Sequence, residues 1–228
     1  MNLARLLVER GADVSANCKD KALQTPLHWA SQHNHVDLAR FLVEHGADVS
    51  AKSKNGWTPL LRASMQGHVD LARFLVELGA DVSAKDKDMC KTPLHWASVR
   101  NHVDLVRVLI EHGADVSAKD WYWSTPLHSA SVCGYVNVAR LLIEHGANVS
   151  ARDKNQSTPL HEASECGYLG FARLLVGHGA DVSAKDRHGS TPLYLASEYG
   201  HMNLARFLIE HATAQATSRI RQPTFTTT

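Results

Sequence analysis

Residues 92–97 read Thr92-Pro93-Leu94-His95-Trp96-Ala97, and the same six letters stand at Thr25-Pro26-Leu27-His28-Trp29-Ala30. Thr-Pro-Leu recurs at Thr58, Thr125, Thr158 and Thr191, so successive copies begin 33, 34, 33, 33 and 33 residues apart. A second ladder, Gly-Ala-Asp/Asn-Val-Ser-Ala, begins at Gly11, Gly46, Gly79, Gly113, Gly146 and Gly179. The two ladders keep step apart from two extra residues before Thr25 and one before Thr92, in a stretch where a loop absorbs them. Self-similarity at a fixed period of this length marks an array of small units, each covering the apolar face of its neighbour.

Working outward from Thr-Pro-Leu in the copy from Ser53 to Lys85, each part of the unit has a local cause. Thr58 suits a helix N-cap and Pro59 the first helical position. A short helix through Leu60, Ala63 and Ser64 stops near Gly67, where the chain needs a left-handed residue. The equivalent positions hold Asn34, Asn101, Gly134, Gly167 and Gly200, and Asn is the next residue to tolerate that conformation. A second helix through Val69, Leu71, Ala72, Phe74, Leu75 and Val76 carries an apolar band wide enough for a neighbour on each side. It ends at Gly79, and Asp81-Val82-Ser83-Ala84 reads as an extended exit into a turn.

A 33-residue unit with T-P-L-H-x-A resembles the ankyrin repeat. The copies at Thr25, Thr92, Thr125 and Thr158 match in full, whereas Leu61 and Tyr194 replace His at the other two. The resemblance covers about residues 1–212. It implies an all-α fold, an ankyrin-repeat solenoid of stacked helix-turn-helix units with β-turn or hairpin fingers. The expected divisions are a partial repeat at 1–19 (second helix only), units at 20–52, 53–85, 86–119, 120–152 and 153–185, a last repeat at 186–212, and a disordered tail at 213–228. The sequence departs from the family pattern in three places. Ser follows Ala where Ala is common, and Ser follows Asp-Val where the family has an Asn that can be hydroxylated, so that modification is not expected. The family Gly two residues before Thr survives only at Gly56 and Gly189, which predicts altered finger tips at Leu23, Cys90, Trp123 and Gln156. Neither end presents a clearly polar cap, so stacking with further repeats at the termini is expected.

Of the 228 residues, Lys and Arg number 24 and Asp and Glu 23, a formal charge of +1. That balance points away from nucleic acid and from a charged membrane surface. No apolar run reaches membrane-spanning length, and Met1–Arg5 lacks a signal-peptide pattern. Cys18, Cys90, Cys133 and Cys166 form no C-x-x-C pair and read as reduced residues of a cytoplasmic, or nuclear, protein.

Fifteen histidines tempt a catalytic or metal-binding reading. Repeat position explains nearly all of them. His28, His95, His128 and His161 belong to the motif, and in ankyrin proteins its Thr and His brace the turn. His45, His112, His145, His178 and His211 sit at the end of the second helix, and His35, His68, His102 and His201 follow the Gly or Asn between helices. His33 and His35 lack a carboxylate or Cys partner for a metal. Ser and His recurring in register, as at His128 and Ser131, read as a building feature, since a nucleophile needs one activated Ser, one oriented base and an oxyanion site. The Arg column from Arg5 to Arg206 meets Glu four residues later in most copies, which predicts a solvated outer face of helix pairs. No enzyme activity, cofactor or metal is expected.

Ankyrin proteins bind through finger tips and the concave face of their first helices. Trp121-Tyr122-Trp123 puts three large aromatics in one tip, where other copies are mostly polar, and Trp57 adds another two copies earlier. Trp and Tyr are enriched at interface hot spots. The expected partner-binding set is Trp121, Tyr122, Trp123, Trp57 and Met89 from the fingers and Trp29, Trp96, Met65, Arg100 and Tyr199 from the first helices. Trp29 and Trp96 fit groove lining and inter-unit packing equally well. The reading is a non-catalytic scaffold for a protein partner; the alternative is a structural or regulatory segment of a larger multidomain protein.

Overall fold

A computed structural model describes residue 6, residues 8–16 and residues 22–220. Among them are twelve helices and no strand. They come in pairs: α1 (Pro26–Gln32) with α2 (Val36–Glu44), α3 (Pro59–Gln66) with α4 (Val69–Glu77), and α5 (Pro93–Val99) with α6 (Val103–Glu111). The series continues as α7 (Pro126–Ser131) with α8 (Val136–Glu144), α9 (Pro159–Glu165) with α10 (Leu169–Gly177), and α11 (Pro192–Glu198) with α12 (Met202–Ile220). First helices stack on first helices and second helices on second helices, so the molecule is a two-layered all-α solenoid. Of the lone helix expected at the N-terminal end, Leu6, Val8 and Glu9 are helical, while Leu3, Leu7 and Cys18 lie outside the described residues.

Thr starts each first helix and Pro occupies its first turn; Thr58 Oγ1, for example, accepts the Leu61 N–H at 3.2 Å. The second helices α2, α4, α6, α8 and α10 each end on the same paired bonds. Gly46 N–H reaches the Val43 carbonyl and Ala47 N–H the Leu42 carbonyl, with Gly46 at φ +90°. This is a Schellman cap, which favours glycine. The Asp or Asn that follows then folds the exit, as when Asp48 Oδ1 accepts the Ser50 N–H at 2.8 Å.

The core is built from repeated columns. Leu27, Leu60, Leu94, Leu127 and Leu160 are fully buried, as are Ala30, Ala63, Ala97, Ala130, Ala163 and Ala196. The alanines let adjacent first helices approach. On the second helices Arg40 lies 4.7 Å from the Phe74 ring centre and Arg173 5.4 Å from that of Phe207. Both arginines bridge to the next unit, and Arg40 also shares a helix face with Glu44, whereas Gly177 stands four residues after Arg173.

Two departures from sequence expectation have physical causes. The finger tips without glycine keep the glycine-like backbone: Leu23, Cys90, Trp123 and Gln156 have φ of 51°, 55°, 61° and 60° beside Gly56 at 74° and Gly189 at 81°. One backbone bond per step joins neighbouring fingers, for instance Trp121 N–H to Met89 carbonyl at 2.8 Å and Lys154 N–H to Tyr122 carbonyl at 2.9 Å. A relaxed tip would break that ladder. The last helix runs on to Ile220, into the stretch expected to be disordered. Ala212-Thr213 replaces the Gly-Ala that stops the other second helices, and Ala214, Gln215 and Ala216 favour helix. Residues 221–228 lie outside the described set.

The residue after an inter-helix Gly or Asn covers the Gly of the preceding unit at three joints, His102 on Gly67, Tyr168 on Gly134 and His201 on Gly167. A Cβ on Gly67, at φ +79°, would overlap the His102 ring, whereas one on Gly46 would meet nothing within 4 Å. Both substitutions by Ala carry the left-handed penalty of about 1–2 kcal/mol. Gly67→Ala is expected to lower the thermal midpoint clearly more than Gly46→Ala; equal shifts would show that His102 gives way freely.

Candidate protein interface

The Thr-His motif is used up by structure. In the unit at Thr92, the backbone N–H of Thr92 donates to His95 Nδ1 at 3.3 Å, and the hydroxyl lies 2.8 Å from the same nitrogen. On the other side of the ring, Nε2–H donates to the carbonyl of Ser124 in the next unit at 3.0 Å. His28, His128 and His161 repeat the arrangement on the carbonyls of Trp57, Ser157 and Ser190. Burial pushes all four imidazoles below their ordinary value, His95 to about 4. A proton added at Nδ1 would face the Thr N–H. The Ser131 hydroxyl donates to the His128 carbonyl at 2.7 Å instead of reaching a ring nitrogen, so the in-register Ser and His do not form a nucleophile–base pair there. His45, His112, His145 and His178 each place Nδ1 within 2.8–2.9 Å of the carbonyl four residues back and satisfy the helix C-terminus by hydrogen bonding, and His211 makes the same bond to Phe207 at 2.9 Å inside α12.

The aromatic finger stands in solvent. Trp121, Tyr122 and Trp123 are 57%, 56% and 50% exposed. Asp120 holds the loop from beneath, its Oδ1 accepting the N–H groups of Tyr122 and Ser124 at 2.8 and 3.0 Å. Lys154 and Lys119 place their ammonium groups 5.4 and 5.3 Å from the ring centres of Trp121 and Trp123. Holding a Trp side chain at φ +61° costs about 1–2 kcal/mol relative to glycine.

The other expected contact residues divide. Trp57 is a correction: it is buried rather than presented, at the centre of a small cluster with Leu61 and Ala84, against Met65 and Trp96. Its ring centre lies 5.2 Å from that of Trp96, and the Arg62 guanidinium lies over it at 4.4 Å. Leu61, standing where other units have the motif His, supplies the apolar floor. Trp96 and Met65 are thus partly committed to inter-unit packing, and Trp96 Nε1–H donates to Asp86 Oδ2 at 3.0 Å. Trp29 is 46% exposed and stacks on His33 at 5.2 Å. Arg100 and Tyr199 are exposed, and the Glu165 carboxylate raises the Tyr199 hydroxyl above its ordinary value. Met89 is half-buried and lines a cleft.

That cleft was not anticipated from the sequence. It encloses about 310 Å³ between three successive fingers and their first helices, with Tyr122, Asp120, Ser129, Val132, Asp153 and Glu162 on its walls. Burial, with the charges of Asp153 and Glu165 next, raises the Glu162 carboxyl to about 7. The signal available was the column after the motif His, which reads Trp29, Arg62, Trp96, Ser129, Glu162, Leu195 and so places a second acid opposite Asp153.

Among the described residues, no group of three or more His, Cys, Asp or Glu is arranged to hold a metal ion. None of their helices is long and apolar enough to cross a membrane. Cys90, Cys133 and Cys166 are free thiols. A family model described as ankyrin repeats (3 copies) matches residues 1–86, 84–153, 122–186 and 150–220. No curated protein matches the chain.

Proposed function

The chain belongs to the ankyrin-repeat family, and from that premise we propose that it is a non-catalytic scaffold holding a protein partner on its fingers and first-helix face. Ankyrin repeats are generally protein–protein interaction modules. The observation that carries the reading is the Trp121-Tyr122-Trp123 finger: three rings, each at least half exposed, on a loop whose third residue keeps a backbone that glycine would occupy without strain. Exposed Trp and Tyr side chains are the kind most enriched at interface hot spots, which supports a binding role. Trp29, Met89, Arg100 and Tyr199 extend the surface, with Trp96 and Met65 at its packed edge. A second reading, a structural or regulatory segment of a larger protein, draws on the exposed Met202 and Ile209 of α12.

The test is affinity capture from a native extract on the immobilised chain, beside a variant carrying Trp121→Ser, Tyr122→Ser and Trp123→Gly. Glycine at 123 relieves the backbone, so the variant is expected to melt no lower than the parent. Three hot-spot rings at about 2 kcal/mol each make at least a tenfold loss of captured partner the expected result. Equal capture by the two proteins would remove the finger from the interface.

A further inference from the structure

Asp120 and Asp153 head successive fingers and are 6% and 5% exposed. Each uses Oδ1 for two backbone N–H groups: Tyr122 and Ser124 for Asp120, Asn155 and Ser157 for Asp153, at 2.8–3.0 Å. Among the described residues no donor reaches the second oxygen of either. Asp86, which heads the preceding finger, shows what that oxygen takes, because its Oδ2 accepts the Trp96 indole N–H. At the place of Trp96 the next two units carry Ser129, too short to fill the space, and Glu162, which in its ionised form cannot donate. The cleft of about 310 Å³ opens there, walled by Tyr122 and Val132. Lys91 also lines it, but its ammonium lies over the Trp96 ring at 5.2 Å.

We propose that this cleft receives a cationic side chain, best an arginine, presented by the bound protein. An arginine supplies a flat stem against Tyr122 and a fork of N–H donors for carboxylate oxygens that otherwise have none. The charge is complementary: Asp120, Asp153 and Glu162 line the cleft, and Glu162, whose carboxyl burial holds above its ordinary value, gains a counter-ion on binding. The inference rests on the scaffold reading and names the chemistry of the segment that the scaffold holds.

The test uses the full chain and two capped tripeptides, Gly-Arg-Gly and its counterpart with neutral citrulline in place of arginine, followed by proton–nitrogen NMR. The arginine peptide is expected to shift the amide signals of Tyr122, Ser129 and Val132 saturably in the millimolar range, and to lower the midpoint at which the Glu162 carboxyl titrates. The citrulline peptide is expected to bind at least about tenfold more weakly, as charge-assisted pairing is lost. Glu162→Gln weakens the arginine peptide by a similar factor, and Ser129→Trp, which fills the cleft as Trp96 fills its own unit, removes the response. Equal responses to the two peptides, or unchanged binding in a folded Glu162→Gln, would overturn the proposal. Equal protein capture by the parent and the finger variant, with tripeptide binding to the parent intact, would count against the finger reading alone.

Discussion

Lowering the pH from 7 to 4.5 is expected to remove several kcal/mol of stability from the array. The cause is the four imidazoles buried between units, each held neutral by desolvation and by a Thr donor facing Nδ1. In the unfolded chain each protonates near 6.5; in the folded one His95 waits until about 4. Folded values below unfolded ones mean that the contribution is present above about 6.5 and lost as pH falls toward 4. For His95 alone that amounts to about 3 kcal/mol. Glu162 works in the opposite sense, because its raised carboxyl makes the fold less stable as pH climbs from about 4.5 to 7. One such acid offsets only part of four such bases. Denaturant midpoints at pH 7, 5.5 and 4.5 check the prediction, with His95→Gln expected to lower stability at pH 7 and to flatten the slope. A level profile would mean that the rings protonate without losing their places.

The largest effect of a single side chain is expected at Phe171. Its position on the second helices holds Leu38, Leu71, Leu105, Val138, Phe171 and Leu204 in order, so the one ring follows the smallest member of the column. Phe171 is fully buried. The ring takes up volume that Val138 leaves, and a truncation there opens a cavity that neither neighbour can close. Phe171→Ala should cost about 3–5 kcal/mol, while Phe171→Leu, which keeps most of the volume, should cost much less. Denaturant unfolding measures both. A loss below about 1 kcal/mol for the alanine variant would show that the stack collapses onto the site.

The fold was legible because its signals are local and repeated. Thr-Pro starts, Gly or Asn stops and the columns of Leu and Ala each recur six times, so an exception such as Leu61 does not blur the pattern. The candidate surface was legible only where exposure follows from loop position, as at Trp121 to Trp123. Trp57 occupies the same kind of loop and is buried, because Leu61, Arg62 and Trp96 from two units form a slot for its ring. That slot spans more than one repeat, and a reading of single repeats does not assemble it. The acidic cleft was hidden for the same reason: Asp120, Ser129, Asp153 and Glu162 come from two units and meet only across the stack. The tip backbones at Leu23, Cys90, Trp123 and Gln156 show the reverse error, since the finger-to-finger ladder imposes a geometry that the local residue would not choose.

The bridging histidines also give the stack a grain. Every bond of the motif histidines runs forward, from a unit's imidazole to a carbonyl at the start of its successor, whereas His68 and His201 reach back to the carbonyls of Gln32 and Glu165. Each unit therefore finishes its own turn only once the following one is in place. The chain of handovers is interrupted once between neighbouring described units, at Leu61, and there the joint is sealed by Trp57, Trp96, Leu61 and Ala84 in its place. One seam in the array thus uses apolar surface where its neighbours use a motif imidazole, and among the described residues the only imidazole left across it that burial pushes below its ordinary value is His102, which covers Gly67 and bonds to the Met65 backbone. Acid would therefore loosen first the joints that carry a motif imidazole, and the pair of units sharing the two tryptophans would lose less than its neighbours.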